Sequence, residues 1–151
     1  MSKVSVRVLF FLLTILTVFL TGCSENEWTE SNIFVSGSYE MLGEEGQLGF
    51  IYDGGDVTRF YPDKVQKYMW HFWGNDEDLE GDLKVVGTHN ESGYEINVLE
   101  DVTLSTRELN GADASMPSMM SLPKSGMWKL DAYIDDKLHG SVYVQVHEED
   151  G

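Results

Sequence analysis

The sequence predicts an all-β fold, an immunoglobulin-like antiparallel β-sandwich of about seven strands, and three observations carry the expectation. From Ile33 onward no apolar periodicity of 3.6 residues is sustained. Short runs rich in Val, Ile, Tyr, Trp, Phe and Thr are instead broken by Gly, Asn and Asp clusters at 43–46, 53–56, 74–82, 90–93 and 135–137, the punctuation of a sandwich or barrel. In the last third, apolar and polar residues alternate one by one, the pattern of strands with one buried face.

Before the domain, Lys3 and Arg7 precede an uncharged run from Val8 to Leu20, which ends in Leu20-Thr21-Gly22-Cys23. A basic start, an apolar stretch and small residues before a cut describe a secretory signal over 1–22. The run falls short of the roughly 20 apolar residues that span a bilayer. A plain signal cut elsewhere would leave the lone cysteine as an exposed thiol in a secreted product. The four residues resemble the lipobox of bacterial lipoproteins, whose cysteine is diacylated and becomes the mature N-terminus. That resemblance implies lipidation of Cys23 by palmitate-type chains and attachment to the cell membrane on its extracytoplasmic face, with the bilayer as partner. Two acyl chains hold a protein firmly where one holds it reversibly.

Removal of 1–22 leaves 129 of the 151 residues, a length for one domain. The expected division is a lipidated cysteine and short tether over 23–32, a β-sandwich over 33–147 and an acidic tail over 148–151. With a single cysteine, no disulfide staples the core. The chain holds 10 basic and 26 acidic residues, and losing Lys3 and Arg7 takes its net charge from −16 to −18. Such a field repels phosphate backbones, so nucleic acid is excluded as a partner, and it disfavours adhesion of the surface to lipid headgroups.

Taken in order, Ser24 to Glu30 reads as a tether reaching at most about 25 Å. Lys67 to Trp73 carries aromatics on both faces. Tyr68, Trp70 and Phe72 are assigned inward because the other face includes Lys67 and His71, and Trp70 takes the part of the buried tryptophan of immunoglobulin-like sandwiches. Leu83 to His89 pairs with Tyr94 to Val98 across Asn90 to Gly93, which sets Val85 against Val98 and Gly87 against Ile96. Asn110 to Lys124 shows no strand pattern and reads as a long loop, functional or covering a sheet edge. In Met127 to Ile134 and Leu138 to Val146 the even positions are the inward set. A two-residue loop, Asp135-Asp136, would pair Ile134 with Lys137 and mix the faces. A three-residue loop, Asp135 to Lys137, keeps them apart and sets Ala132 against Gly140 and Trp128 against Val144. The two small residues leave a hollow for a large ring of the facing sheet.

Three blocks carry a further likeness: Lys67 to Gly74, Leu109 to Ala114 with Ser121-Leu122-Pro123, and Gly126 to Gly140. They are similar to an uncharacterised family of small lipoproteins from Bacillus-type Gram-positive bacteria, over most of the chain from Ile33 to Val146. The resemblance implies membrane anchorage facing the wall and a sandwich of strands. It brings no activity, ligand or catalytic residue.

Several clusters hold residue types that can carry chemistry. Asp76, Asp78, Glu80 and Asp82 begin like a calcium loop, with donors at positions 1, 3 and 5 and Gly81 at 6. Position 12, where calcium's bidentate glutamate belongs, is Gly87. Met116, Met119 and Met120 could offer thioethers to Cu(I), or fill gaps beneath the loop. His139 and His147 stand eight residues apart on one strand, about 27 Å, too far to share an ion. Gly-x-Ser-x-Gly is absent and the acids lie chiefly in turns, so no enzyme and no cofactor are expected. The expected function is a binding or structural accessory module at the cell envelope, with an envelope protein or glycan as partner. Its candidate recognition surface is Met69, His71 and Trp73 with Asn110, Asp113, Met116, Met119 and Met120; a fully buried Trp73 ring would remove that surface, and an exposed aromatic ledge beside polar groups would favour sugar or peptide binding.

Overall fold

The computed structural model describes residues 27–150, so the expected signal and Cys23 lie outside the described residues. Within them the chain forms β1 (Asn32–Ser36), β2 (Tyr39–Glu44), β3 (Leu48–Ile51), β4 (Gln66–Phe72), α1 (Asp76–Leu79), β5 (Asp82–His89), β6 (Glu95–Thr103), β7 (Ala114–Met120), β8 (Gly126–Ile134) and β9 (Lys137–Val146). Nine strands stand where about seven were expected. The surplus comes from the N-terminal meander, in which Gly43 lies inside β2 and the break follows it.

Two antiparallel sheets form a β-sandwich, one ordered β1-β2-β3-β4-β7 and the other β6-β5-β8-β9. The orders β3-β4-β7 and β6-β5-β8-β9 reproduce the A-B-E and C′-C-F-G neighbours of immunoglobulin-like sandwiches, with β1 and β2 added beyond A. This corrects the role given to Trp70. It is fully buried, but it sits on the B-equivalent β4, whereas the immunoglobulin tryptophan belongs to strand C.

Between the sheets Tyr68, Trp70 and Phe72 point inward as expected and pack with Phe50, Trp128, Leu130, Val142 and Val144. Phe50 is the hub, its ring set edge-on to Tyr68 at 5.3 Å and Trp70 at 5.0 Å. The Trp70 indole N–H has no hydrogen-bond partner among the described residues. An unmet donor costs about 1–3 kcal/mol, while burying the 150–250 Å² of such a ring contributes about 4–6 kcal/mol. Burial wins.

Both hairpins carry a bulge that the even alternation concealed. Asp135 and Asp136, at φ 49° and 61°, form a two-residue turn that pairs Ile134 with Lys137 and Tyr133 with Leu138. A positive φ at both central residues is what a type I′ turn needs. The register then shifts at His139, restoring Ala132 against Gly140 and Trp128 against Val144. Leu138, expected inward, is therefore exposed. Likewise Gly87 meets Ile96, but a shift sets Val85 against Leu99 and not Val98. The stretch 110–124 is no loop, because β7 runs antiparallel beside β4 from Gln66↔Met120 to Phe72↔Ala114.

The tether is also shorter than expected. Ser31 N–H donates to Tyr143 O at 2.9 Å, Tyr143 N–H donates to Ser31 Oγ at 2.8 Å, and Gln145 N–H donates to Glu30 Oε1 at 3.2 Å. Residues 30 and 31 are thus stitched along the edge of β9, with Trp28 edge-on to Tyr143 at 5.5 Å.

The hollow between Ala132 and Gly140 is filled by Leu48 and not by a ring, for a Cβ on Gly140 would strike Leu48 Cδ2. Gly140→Ala is expected to cost about 1–3 kcal/mol in urea unfolding through overpacking. Adding Leu48→Ala should recover part of that loss, so the double variant is more stable than the two single losses summed.

Candidate functional site

The outward face of β4 is covered. His71 is fully buried, against the expectation that it faces out. Its Nδ1–H donates to Met69 O at 3.0 Å, a carbonyl that can only accept. Nε2 is therefore the free lone pair, and Asn110 Nδ2 donates to it at 3.1 Å. Trp73, half-buried, donates Nε1–H to Gly111 O at 2.8 Å and meets Phe34 edge-on at 5.8 Å. Asp113 Oδ2 accepts Gly74 N–H at 2.9 Å, and Ser36 Oγ donates to Asn110 O at 2.7 Å. The cover is a small hairpin. Leu109 and Ala112 exchange backbone bonds around Asn110 and Gly111 at φ 51° and 83°, the turn that Asn-Gly favours.

The expected recognition surface is thereby divided. His71 and Trp73 on the sheet meet Asn110, Gly111 and Asp113 of the strap, so His71 is floor beneath a cover, while Trp73 stays half-buried at its margin. Met116 and Met120 are buried in the core while Met119 on the same strand is exposed, since alternate residues face opposite ways. Those three thioethers do not converge on one ion. Met69 and Met119 flank a groove on the outer face.

The acidic run is a helical turn and not a calcium loop. Asn75 Oδ1 caps α1 by accepting Asp78 N–H at 3.0 Å, and Asp82 Oδ1 accepts from Thr103 Oγ1 at 2.8 Å. Asp76, Asp78, Glu80 and Asp82 are all exposed. Among the described residues no three His, Cys, Asp or Glu side chains converge as a metal site. A serine and a histidine do meet, with Ser92 Oγ 2.8 Å from His89 Nδ1. His89 Nε2–H donates to Ser125 O at 2.9 Å, and Ser92 Oγ also receives Tyr94 N–H at 3.2 Å. These bonds close the β5–β6 turn.

Two hollows remain at the end of the sandwich where β9 finishes. A polar one of about 920 Å³ is bordered by Arg59, Tyr61 and Lys64 and by Asp56, Glu91, Glu148, Glu149 and Asp150. An apolar groove of about 730 Å³ adjoins it, lined by Ile51, Val57, Val65, Met69 and Met119 with Lys64 and Lys67. Sequence reasoning missed Val57, Lys64, Val65 and Lys67. Their one signal is that three cations, Arg59, Lys64 and Lys67, and two lone valines fall within eleven residues of a chain this acidic.

Burial holds the His71 pKa below its ordinary value, opposed in part by the bond to Met69. As pH falls through about 6.5, the unfolded chain takes up a proton that folded His71 refuses, so stability drops with acidification. Between pH 7.5 and 5.5 the denaturant midpoint of the native chain is expected to fall relative to that of His71→Gln. The difference should not exceed about 1.4 kcal/mol per pH unit, the slope for one proton. The carboxylates contribute equally to both proteins and cancel.

Comparison with known proteins agrees with this architecture. The X-ray crystal structure of a "Putative Lipoprotein from Bacillus anthracis" superposes with a TM-score of 0.61 at 18% identity, covering 86% of this chain and 99% of that one. At that identity the likeness speaks for the β-sandwich fold. No curated protein matches the chain. The profile described as "Domain of unknown function (DUF4871)" matches residues 18–144, most of the length, and the chain belongs to that family.

Proposed function

We propose that the chain is a lipid-anchored, extracytoplasmic β-sandwich acting as a non-catalytic structural or binding accessory module at the cell envelope. One observation carries the reading. Trp28, five positions after Cys23, already packs edge-on to Tyr143 of β9, and Glu30 and Ser31 are bonded to β9. Five residues reach at most about 18 Å. A lipid on Cys23 therefore holds the rigid sandwich itself against the bilayer, with no long stalk between. The leader before Cys23 supports the same address, and so does the description of the Bacillus anthracis relative as a lipoprotein.

A structural role is favoured over recognition through the β4 face, because His71 and Trp73 spend their polar atoms on the strap. An envelope protein or glycan would have to meet the molecule elsewhere.

Mass spectrometry of the protein extracted from membranes of the producing cells tests the anchor. The N-terminal peptide is expected to begin at Cys23 and to carry a diacylglycerol thioether, and Cys23→Ser protein should leave the membrane fraction. An intact leader with a free thiol at Cys23 defeats the reading.

A further inference from the structure

Resting on the anchor reading, the geometry points to a second membrane contact. The apolar groove docks on the surface of an anionic phospholipid bilayer, with Val57, Val65 and Met119 entering the headgroup boundary and Lys64 and Lys67 meeting phosphates. Val57, Val65 and Met119 are 84%, 60% and 59% exposed. They surround one groove, on the outer face where β4 begins and β7 ends. Apolar tips with a cationic rim are the composition of an interfacial lipid contact.

The groove's lips are held in place. Asp53 Oδ1 accepts Gly55 N–H at 2.8 Å and Thr58 Oγ1 at 2.6 Å, which fixes the turn that presents Val57. On the other lip Asp63 N–H donates to Leu122 O at 2.9 Å. Val57 and Val65 are thus displayed by braced backbone.

Charge is arranged to match. Arg59 is paired with Asp56 at 3.2 Å, which offsets part of the charge of the carboxylate that lines the groove. Lys64 Nζ lies over the Tyr61 ring at 5.0 Å. Among the described residues, neither Lys64 nor Lys67 has a carboxylate at ion-pair distance. Two such lysines beside exposed aliphatics run against the trend of a chain of net charge −16. Glu91, Glu148, Glu149 and Asp150 border the adjoining hollow and oppose the approach, so the contact belongs to the groove face and not to the whole end.

The anchor leaves from the same end. Glu30 is bonded at Gln145 and Ser31 at Tyr143, and Trp28 packs on Tyr143, so the segment that follows Cys23 lies along the last residues of β9. Val146 and Lys64 border one hollow, and Lys64 borders the groove as well. A second copy suits the groove less well, because a two-fold contact would set Lys64 and Lys67 against the same pair.

Residues 23–151 contain every described element. They can be coupled through the Cys23 thiol to a maleimide lipid in vesicles of phosphatidylcholine or of phosphatidylglycerol. Amide hydrogen exchange over 56–69 and 117–120 is expected to slow several-fold on phosphatidylglycerol relative to phosphatidylcholine. The slowing should vanish in high salt and in Lys64→Glu/Lys67→Glu, and should weaken in Val57→Ser/Val65→Ser, while unchanged exchange in β8 reports that the variants fold. Equal exchange on the two lipids, or slowing over 135–139 instead, overturns the proposal. So does slowing that grows with protein concentration without vesicles, which assigns the groove to a second copy. Chemical coupling makes the outcome independent of acylation in cells, so failure of the anchor reading is a separate result.

Discussion

A strand that is apolar on both faces must be covered on both, and β4 imposes that constraint on the rest of the molecule. Tyr68, Trp70 and Phe72 on one face demand the second sheet. Met69, His71 and Trp73 on the other demand something outside the sandwich. The segment from Ser105 to Asp113 supplies it, joined to β7 by the Ser105↔Ser115 bridge and folded back at Asn110-Gly111 so that its tip bonds to His71, Trp73 and Ser36. Placing a histidine there is costly unless both ring nitrogens are satisfied, and they are. The strap and the central strand are thus one design, and neither makes sense without the other.

The sandwich itself was legible because period-2 alternation survives any local detail of the turns. What alternation does not report is parity at the hairpin tip. Even-numbered apolar residues on both β8 and β9 imply an odd loop, yet Asp135-Asp136 is even. The chain resolves the conflict by a one-residue bulge at His139. The extra residue is used: its Nε2–H donates to Gln47 O at 3.0 Å, while Gln47 Nε2 donates to His139 O at 2.5 Å, locking the β2–β3 turn to β9. The shift beside Val85 likewise left Gly87↔Ile96 intact and moved the pairs beyond it. A bulge leaves no mark in apolar periodicity, so these errors were local and the topology was not disturbed.

The site was less legible, and for a different reason. Polar and aromatic residues on a strand face read equally well as a ledge for a ligand and as a floor for a cover. His71 and Trp73 became floor because Asn110-Gly111, the strongest short hairpin signal in that stretch, folds back over them. Pro117 obscured β7, since proline argues against a central strand, but β7 is an edge strand where a missing N–H is tolerated. Met116 and Met120 then fell to the core and Met119 to the surface by alternation alone.

The division of charge along the molecule follows from the same topology. β4 starts beside the groove at Gln66 and ends at Phe72, and α1 with Asp76, Glu77 and Asp78 follows at the far end. Asp135 and Asp136 lie at that far end too, Asp135 packing on Gly81. Seven residues of strand span about 20 Å, more than two screening lengths of about 8 Å at physiological salt. These acids therefore lie beyond the screened reach of Lys64 and Lys67 at the groove. A net charge of −16 is therefore spread over both ends of the sandwich, with Glu91, Glu148, Glu149 and Asp150 beside the polar hollow and α1 with the Asp135-Asp136 turn opposite, and Lys64 and Lys67 make the groove a local exception to it.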